Sequence, residues 1–372
     1  MNHDGTDLSA RLARAQLAMA EHGMDAMLVT PGADLRYLIG YHALALERLT
    51  CLIVPRTGQA TLIVPSLERP AAEGSAARDM DLRMLDYADG QDPFLLVSAA
   101  LAGLEQGTIA LSNQMWAEKV LKLRSILPDA QYRLAGDILA MLRTYKTLAE
   151  LIALRSAARS IDAVHSRMGE WLRAGRTEAE VSVDIALAIR EVGHAAVDFT
   201  IVGSGPNGAS PHHEVSDRQI LPGDIVVVDI GGMMPDGYRS DCTRTYVVGK
   251  SAPGMFVENY EHLRAAHSTA IAAVRPGVTA EAVDAAARNV LAEQGLGSLF
   301  LHRTGHGIGL ESHEDPYIVV GNTTPLAPGM AFSIEPGIYW PGLYGARIED
   351  IVICTDSGVE RLNTLPTELV YL

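Results

Sequence analysis

Cysteine is scarce in this chain. Three thiols, Cys51, Cys242 and Cys354, in 372 residues are too few, too far apart and odd in number to form the paired framework of a small secreted domain. Each falls in an apolar, strand-like run and reads as a small buried hydrophobe of a reduced, cytoplasmic protein. Long apolar runs are missing as well. None approaches the ~18 residues that span a membrane, and the opening MNHDGTDLSARLARAQLAMAEHGMDAMLV reads as an amphipathic helix feeding a strand rather than as a secretory signal. Positive charge is the third deficit. With 30 Lys and Arg against 45 Asp and Glu, the net charge of −15 repels phosphate backbones and anionic lipid, so neither nucleic acid nor a membrane is an expected partner.

Apolar residues, in contrast, make up 48% of the chain, enough for a well-packed core and, at this length, for two domains. Up to about residue 135 the runs AMLVT, CLIVP, ATLIVP and TIALS alternate with helical stretches near 92–104 and 114–126, the pattern of a self-contained α/β domain. That region holds no cluster of reactive side chains. Thr147 followed by Glu150 forms a capping box that opens a helix expected to run on to about residue 172. The boundary is placed just before it, giving domains 1–143 and 144–372.

The second domain contains a cryptic repeat. Residues 173–193 and 275–295 share Arg173/Arg275, Gly175/Gly277, Thr177/Thr279, Val181/Val283, Glu191/Glu293 and Gly193/Gly295, every pair 102 apart. The threonines read as helix N-caps and the last glycines as helix stops. The match continues into strands, where LPGDIVVVDIG parallels APGMAFSIEPG and places Asp229 and Glu335 each seven residues after a proline. A second acid follows in each half, Asp241 twelve residues on and Glu349 fourteen residues on. Two helix-and-hairpin units related by a pseudo-twofold axis would bring four carboxylates to one centre.

Four ionised carboxylates in a partly dry cleft repel one another, so a cation must hold them. For Asp241 and Glu349 an ion pair with Arg244 or Arg347 is the competing reading. The segment HRTGHGIGLESHE adds His302, His306 and His313 among glycines, and His306 in that tight loop is a candidate metal ligand. His194, His262 and His267 read instead as satisfied structural histidines. Carboxylate oxygens with one imidazole favour Mn, Co, Fe or Zn, and bridging carboxylates favour two ions.

Gly203, Gly205 and Gly208 have the spacing of a dinucleotide-binding loop. The sequence that follows, ASPHHEVSDRQILPGD, has two prolines, no helical apolar stripe and too little length for a crossover helix. These glycines read as a loop that lays His212 along a substrate cleft.

The segments VVVDIGGMMPDGYRSDCTRTYVVG, HRTGHGIGLESHE, FSIEPGIY and GARIEDIV together resemble the pita-bread metallopeptidases, a group that includes methionine aminopeptidase, aminopeptidase P, prolidase and the metal-free relative creatinase. The resemblance covers about residues 147–372, and the preceding domain is similar to the creatinase-type N-terminal domain. It implies an α/β N-terminal domain before an α+β pseudo-twofold catalytic domain. It implies Asp229, Asp241, His306, Glu335 and Glu349 as ligands of two divalent ions, manganese foremost, with Asp241 and Glu349 bridging. It further implies that His313 stabilises the tetrahedral intermediate, that His302 and Arg347 contact the prolyl side of the substrate, and that His212 lines the same pocket. The expected reaction is hydrolysis of the Xaa-Pro bond of dipeptides or short peptides by a hydroxide bridging the metals, with Glu335 moving the proton, in a homodimer. A creatinase-like hydrolase of a non-peptide C–N bond and a non-catalytic binding protein are the competing expectations. One departure stands out: the twelve-residue step from Asp229 to Asp241 is one longer than the commoner family spacing, and the extra length is expected at a hairpin tip.

Overall fold

Strands that are apolar on both faces need cover on both faces, and the first part of the chain is built that way. In the computed structural model, which describes residues 5–372 with side chains from Asp7 onward, the elements run α1 (Gly5–Glu21), β1 (Ala26–Val29), α2 (Ala33–Ile39), β2 (Cys51–Pro55), β3 (Ala60–Pro65), α3 (Arg69–Glu73), β4 (Leu82–Tyr87), α4 (Pro93–Ala100), β5 (Thr108–Leu111), α5 (Ala117–Ile126), β6 (Gln131–Leu134) and α6 (Gly136–Thr144). The six strands form one sheet in the order β4-β3-β2-β1-β5-β6, with β1 parallel to β5 and antiparallel to β2. The four apolar runs read from the sequence are β1, β2, β3 and β5. β4 and β6 escape that reading because Arg83, Asp86 and Arg133 interrupt their apolar pattern on partly exposed strands.

The chain divides between Arg143 and Thr144 into two compact units. The second contains α7 (Leu148–His165), α8 (Glu178–Glu191), β7 (Ala196–Ser204), β8 (Ile225–Met233), β9 (Arg239–Val247), α9 (Gly254–Ala273), α10 (Ala280–Glu293), β10 (Gly305–Gly307), β11 (Glu314–Ile318), β12 (Ala331–Ile334), β13 (Gly337–Trp340), β14 (Tyr344–Arg347), β15 (Asp350–Thr355), β16 (Gly358–Arg361) and β17 (Val370–Tyr371). Thr147 and Glu150 form the expected capping box, but α7 ends at His165, short of the helix the sequence suggested. The Ser166 hydroxyl donates back to the Asp162 carbonyl at 2.9 Å, and Gly169 weakens the next turn, which becomes a 3₁₀ segment, Met168–Glu170. Among the described residues no helix is long and apolar enough to cross a membrane.

The duplication is visible in the backbone. Thr177 caps α8 and Thr279 caps α10, and Gly193 (φ 104°) and Gly295 (φ 73°) follow the helix ends in the left-handed region that favours glycine. Each helix start is stitched to its own strand connection in the same way: Gly175 N donates to Ile220 O and Gly277 N to Leu326 O, both at 2.8 Å. His165 on α7 and His267 on α9, again 102 apart, are both buried. One apolar core, including Ile161, Val181, Ile185, Val228 and Ile230, fills the first half, and another, including Phe256, Val283, Leu291, Phe332 and Val352, fills the second.

Candidate metal centre

The acids are placed by the two hairpins. In the first half β8 and β9 pair without interruption from Ile225–Val247 to Met233–Arg239, and Asp229 opposite Thr243 and Asp241 opposite Gly231 share one face. The turn between the strands spans residues 234–238, so the longer spacing leaves both acids inside the regular ladder. In the second half the equivalent hairpin is stepped. β12 pairs with β15 as far as Ile334–Asp350, and β13 with β14 from Gly337–Arg347. Pro336, which has no N–H to give the ladder, lies in the step, as do Glu335 and Glu349. Glu349 is tied back to the first half by its own N–H, which donates to Thr243 O at 3.1 Å.

These elements bring all five expected ligand side chains together. Oxygen or nitrogen atoms of Asp229, Asp241 and Glu349, and of His306, Glu335 and Glu349, fall into groups within 4.8 Å. His306 Nε2 is 3.2 Å from Glu335 Oε1 and 3.8 Å from Asp241 Oδ2. Its Nδ1 donates to Gly307 O at 3.2 Å, which points Nε2 inward toward the acids. Three of the carboxylates are nearly sealed from solvent, Asp229 8%, Asp241 3% and Glu349 1% exposed. Yet Asp229 Oδ1, Asp241 Oδ1 and Glu349 Oε1 have no hydrogen-bond partner. Buried oxygens of this kind are costly unless a cation takes them, so the donor set fits divalent metal.

The electrostatics say the same. Burial, then the neighbouring carboxylates, pushes Asp241 and Glu349 well above the usual carboxylate range. Burial would raise Glu335 too, but the hydrogen bond and charge of His306, with His302 and Arg347, hold it down at about 2. The ion pairs that competed with ligation are made elsewhere: Arg244 pairs with Asp350 at 2.6 Å and Arg347 with Asp229 at 2.6 Å.

A cavity of about 580 Å³ opens over the acids and is also lined by Phe199, Pro211, His212, His302, Arg303, His313 and Arg347. Every expected site residue therefore faces one space. Arg347 is held within its wall: Nε donates to Thr243 Oγ1, Nη1 to Tyr339 Oη and Pro211 O, and Nη2 to Asp229 Oδ2. Tyr339 Oη passes a hydrogen bond on to His302 Nε2 at 2.9 Å, while His302 Nδ1 donates to Arg303 O at 2.7 Å. His302 is thus fixed in its neutral form, and burial lowers its pKa. The His313 ring lies 4.0 Å from that of His306; partial burial first, then His306 and Arg303, lowers it to about 4.

Gly203, Gly205 and Gly208 serve no crossover helix. They end β7, which is antiparallel to β8, and Gly208 lies so close to Gly345 that a Cβ on the latter would meet the Gly208 oxygen. Past this contact the loop is gripped by Glu178, which is fully buried and accepts hydrogen bonds from Ser204 N and Oγ, Asn207, His213 and Ser216 N and Oγ. His213 is therefore structural. Sequence reading missed Glu178, Arg303, Thr243 and Tyr339; the first left a faint signal as the acid directly after the capping Thr177.

Comparison with known proteins agrees with this geometry. The model of metallopeptidase family M24 matches residues 153–356, and that of the creatinase/prolidase N-terminal domain matches residues 11–145. The chain belongs to metallopeptidase family M24. It is 52% identical over 369 residues to the protein named "Probable dipeptidase PepE" of Mycobacterium bovis, covering 99% of this chain and 98% of that one. An Xaa-Pro dipeptidase of Lactobacillus delbrueckii subsp. lactis is 34% identical, with 97% of this chain and 98% of the relative covered. The crystal structure of dipeptidase PepE from Mycobacterium ulcerans superposes with a TM-score of 0.95 at 50% identity, covering 100% of this chain and 99% of that one. Thermococcus sibiricus prolidase gives 0.92 at 37% identity, covering 98% and 99%. As an M24 protein the chain has the pita-bread fold behind a creatinase-type N-terminal domain, and it is a hydrolase of the metallopeptidase class. Membership also implies divalent metal at the acid cluster.

Proposed function

We propose that this protein hydrolyses the Xaa-Pro bond of dipeptides or short peptides, with Asp229, Asp241, His306, Glu335 and Glu349 holding two divalent ions, manganese the expected species. The observation that carries the proposal is the set of three buried, unpartnered carboxylate oxygens, contributed by both halves of the duplicated fold and facing a cavity large enough for a short peptide. The relatives named dipeptidase and Xaa-Pro dipeptidase direct it to proline peptides. Metal ions in such a site supply Lewis acidity and a water made acidic enough to react near neutral pH.

The chain's own residues have separable tasks. Glu335, at the edge of the cluster and hydrogen-bonded by Ser333 Oγ at 3.1 Å, takes the proton of the attacking water and returns it to the leaving nitrogen. His313 accepts from Arg303 at Nδ1, 3.3 Å, so the proton on Nε2 is free to be donated to the oxygen that gains charge. His302, Arg347 and His212 line the prolyl side of the pocket. Residues 1–143 form the creatinase-like N-terminal domain and residues 144–372 the catalytic domain. Three free, buried cysteines suit a cytoplasmic protein, and the family resemblance points to a homodimer.

The test is hydrolysis of Ala-Pro and Ala-Pro-Ala by chelated protein reloaded in turn with Mn, Co and Zn. Metal-dependent release of alanine, lost in Glu335→Gln, supports the reading; reloaded protein that cleaves neither peptide overturns it.

A further inference from the structure

His313 reaches the cleft from the foot of β11, where the chain returns from β10, and the pairing of those two strands is a weak guide to register. β10 is three residues long and two of them are glycine, so His306 is the one side chain it offers β11 to key against. The pairing is also irregular. Gly305 faces Ile318 and Gly307 faces Glu314, two steps along one strand against four along the other. A slip of one residue would turn His313 away from the cleft, because successive side chains of a strand point to opposite sides. The near arm of the loop is held by β9, where Arg239 N donates to Gly309 O at 2.9 Å and Nε to Leu310 O at 3.3 Å. The far arm makes exposed contacts, from Ser312 Oγ to Asp198 Oδ2 at 3.4 Å and from Arg303 to His313 Nδ1 at 3.3 Å.

Beneath that arm lies a buried ion pair. Lys146 Nζ donates to Glu314 Oε1 at 2.6 Å, the two side chains being 1% and 6% exposed. Glu314 is the residue after His313, and the alternating burial of β11 sends Glu314, Pro316 and Ile318 inward. His313 and Tyr317 take the other side, where both touch Arg303. The Glu314 carboxylate folds back under the loop: Oε2 accepts from Glu311 N at 3.4 Å, and a Cβ on Gly309 would meet Oε1. Lys146 is itself fixed, its N–H donating to Gly329 O at 3.0 Å. An ion pair in so dry a place adds little net stability, and its best-attested use is to fix register. We infer that Lys146 and Glu314 lock the register of β11 and thereby aim His313 at the acids. They are positioning residues, since a side chain pinned inward leaves its neighbour no face but the cleft. The inference rests on the proposed role of His313 as oxyanion donor and names what holds it there.

The experiment measures Ala-Pro hydrolysis by manganese-loaded wild type, Lys146→Met, Lys146→Met with Glu314→Met, His313→Gln, and Lys146→Met with His313→Gln, the metal being counted in each. The methionine pair replaces the charges by apolar side chains of similar length, which keeps stability but carries no directional contact. Lys146→Met and the methionine pair should lose kcat by roughly 10- to 100-fold, as misplacing a donor does, with KM and the metal count unchanged. In the His313→Gln background Lys146→Met should cost little more, because the donor it aims is gone. Amide hydrogen exchange of the methionine pair should quicken within residues 305–318 and stay as in wild type elsewhere in the catalytic unit. A methionine pair with wild-type kcat, losses that multiply between Lys146→Met and His313→Gln, or metal lost in step with activity overturns the lock. Exchange that quickens throughout the unit overturns it too, since the pair is then ordinary structure. Should reloaded wild type cleave no proline peptide, the peptidase reading falls separately. In that case quickened exchange confined to 305–318 still supports the lock, and unchanged exchange there overturns it.

Discussion

The two halves of the catalytic unit share a frame and divide the chemistry unequally. Both have a capped helix that starts after a glycine turn, a buried histidine on the preceding helix and a hairpin that delivers two acids. The first hairpin is straight, with Asp229 and Asp241 inside its ladder; the second is stepped at Pro336, with Glu335 and Glu349 in the step. All the histidines that face the acids come from the second half except His212, which lies on the connection between β7 and β8. Duplication supplies a symmetric cage for charge, and the histidines that face it depart from that symmetry. At the start of α8 Glu178 grips that loop, whereas the matching position at the start of α10 is Ala280, although both N–H groups make the same backbone bond, to Arg218 O at 3.1 Å and to Thr324 O at 3.0 Å. The frame does not need a carboxylate there; the loop does.

The comparison can be broken most forcefully at the acids. Asp241→Asn and its counterpart Glu349→Gln should each lower kcat/KM by on the order of 10³-fold, measured with saturating metal. In metal-free protein the same changes relieve the burial and mutual repulsion that push both carboxyls well above their usual range, so melting should rise by about 2–4 °C. A fall in metal-free stability would mean that the acids are structural. The asymmetric position comes next. Glu178→Ala leaves several buried donors without an acceptor and should cost about 3–5 kcal/mol in denaturant unfolding, with KM rising more than kcat falls. Ala280→Gly, at the matching site, should cost only about 1 kcal/mol.

The buried histidine pair sharpens the symmetric side. His165 and His267 are both lowered to about 3, chiefly by burial. The unfolded chain takes protons on both below the ordinary value near 6.5, and the folded chain does not until about 3, so their contribution to stability is lost as pH falls through that window. Urea midpoints at pH 7 and pH 5 should converge in His165→Gln and in His267→Gln relative to wild type, by similar amounts. The smallest effect is in protons. Because burial and the neighbouring carboxylates push Asp241 and Glu349 well above the usual carboxylate range in the absence of metal, metal binding should release protons, seen as a buffer-dependent calorimetric enthalpy.

Much of this was legible in the chain itself, because duplication writes the same spacing twice. The capping threonines, the helix-stopping glycines and the four acids all stand in matched positions, so the cage could be read without contacts. What escaped reading has no local signature. Glu178 looks like any acid in a first helical turn, and only the folded loop shows seven hydrogen bonds converging on its two oxygens. Arg303 and Arg347 are indistinguishable as sequence; one is consumed by four wall residues and the other is not, a difference made entirely by tertiary neighbours. The early end of α7 belongs to the same class, since a serine side chain competing for one carbonyl outweighs an apolar periodicity that continues past it.

The central claim is that ligands from both halves jointly hold the reactive centre. Its most direct test counts metal by mass spectrometry of chelated, manganese-reloaded protein, wild type beside Asp229→Asn and Glu335→Gln, with Ala-Pro hydrolysis followed on the same samples. The account predicts two ions per wild-type chain, fewer in a variant of either half, and hydrolysis that falls with the count. Full metal occupancy in both variants, or hydrolysis by wild type that chelation leaves untouched, would contradict it.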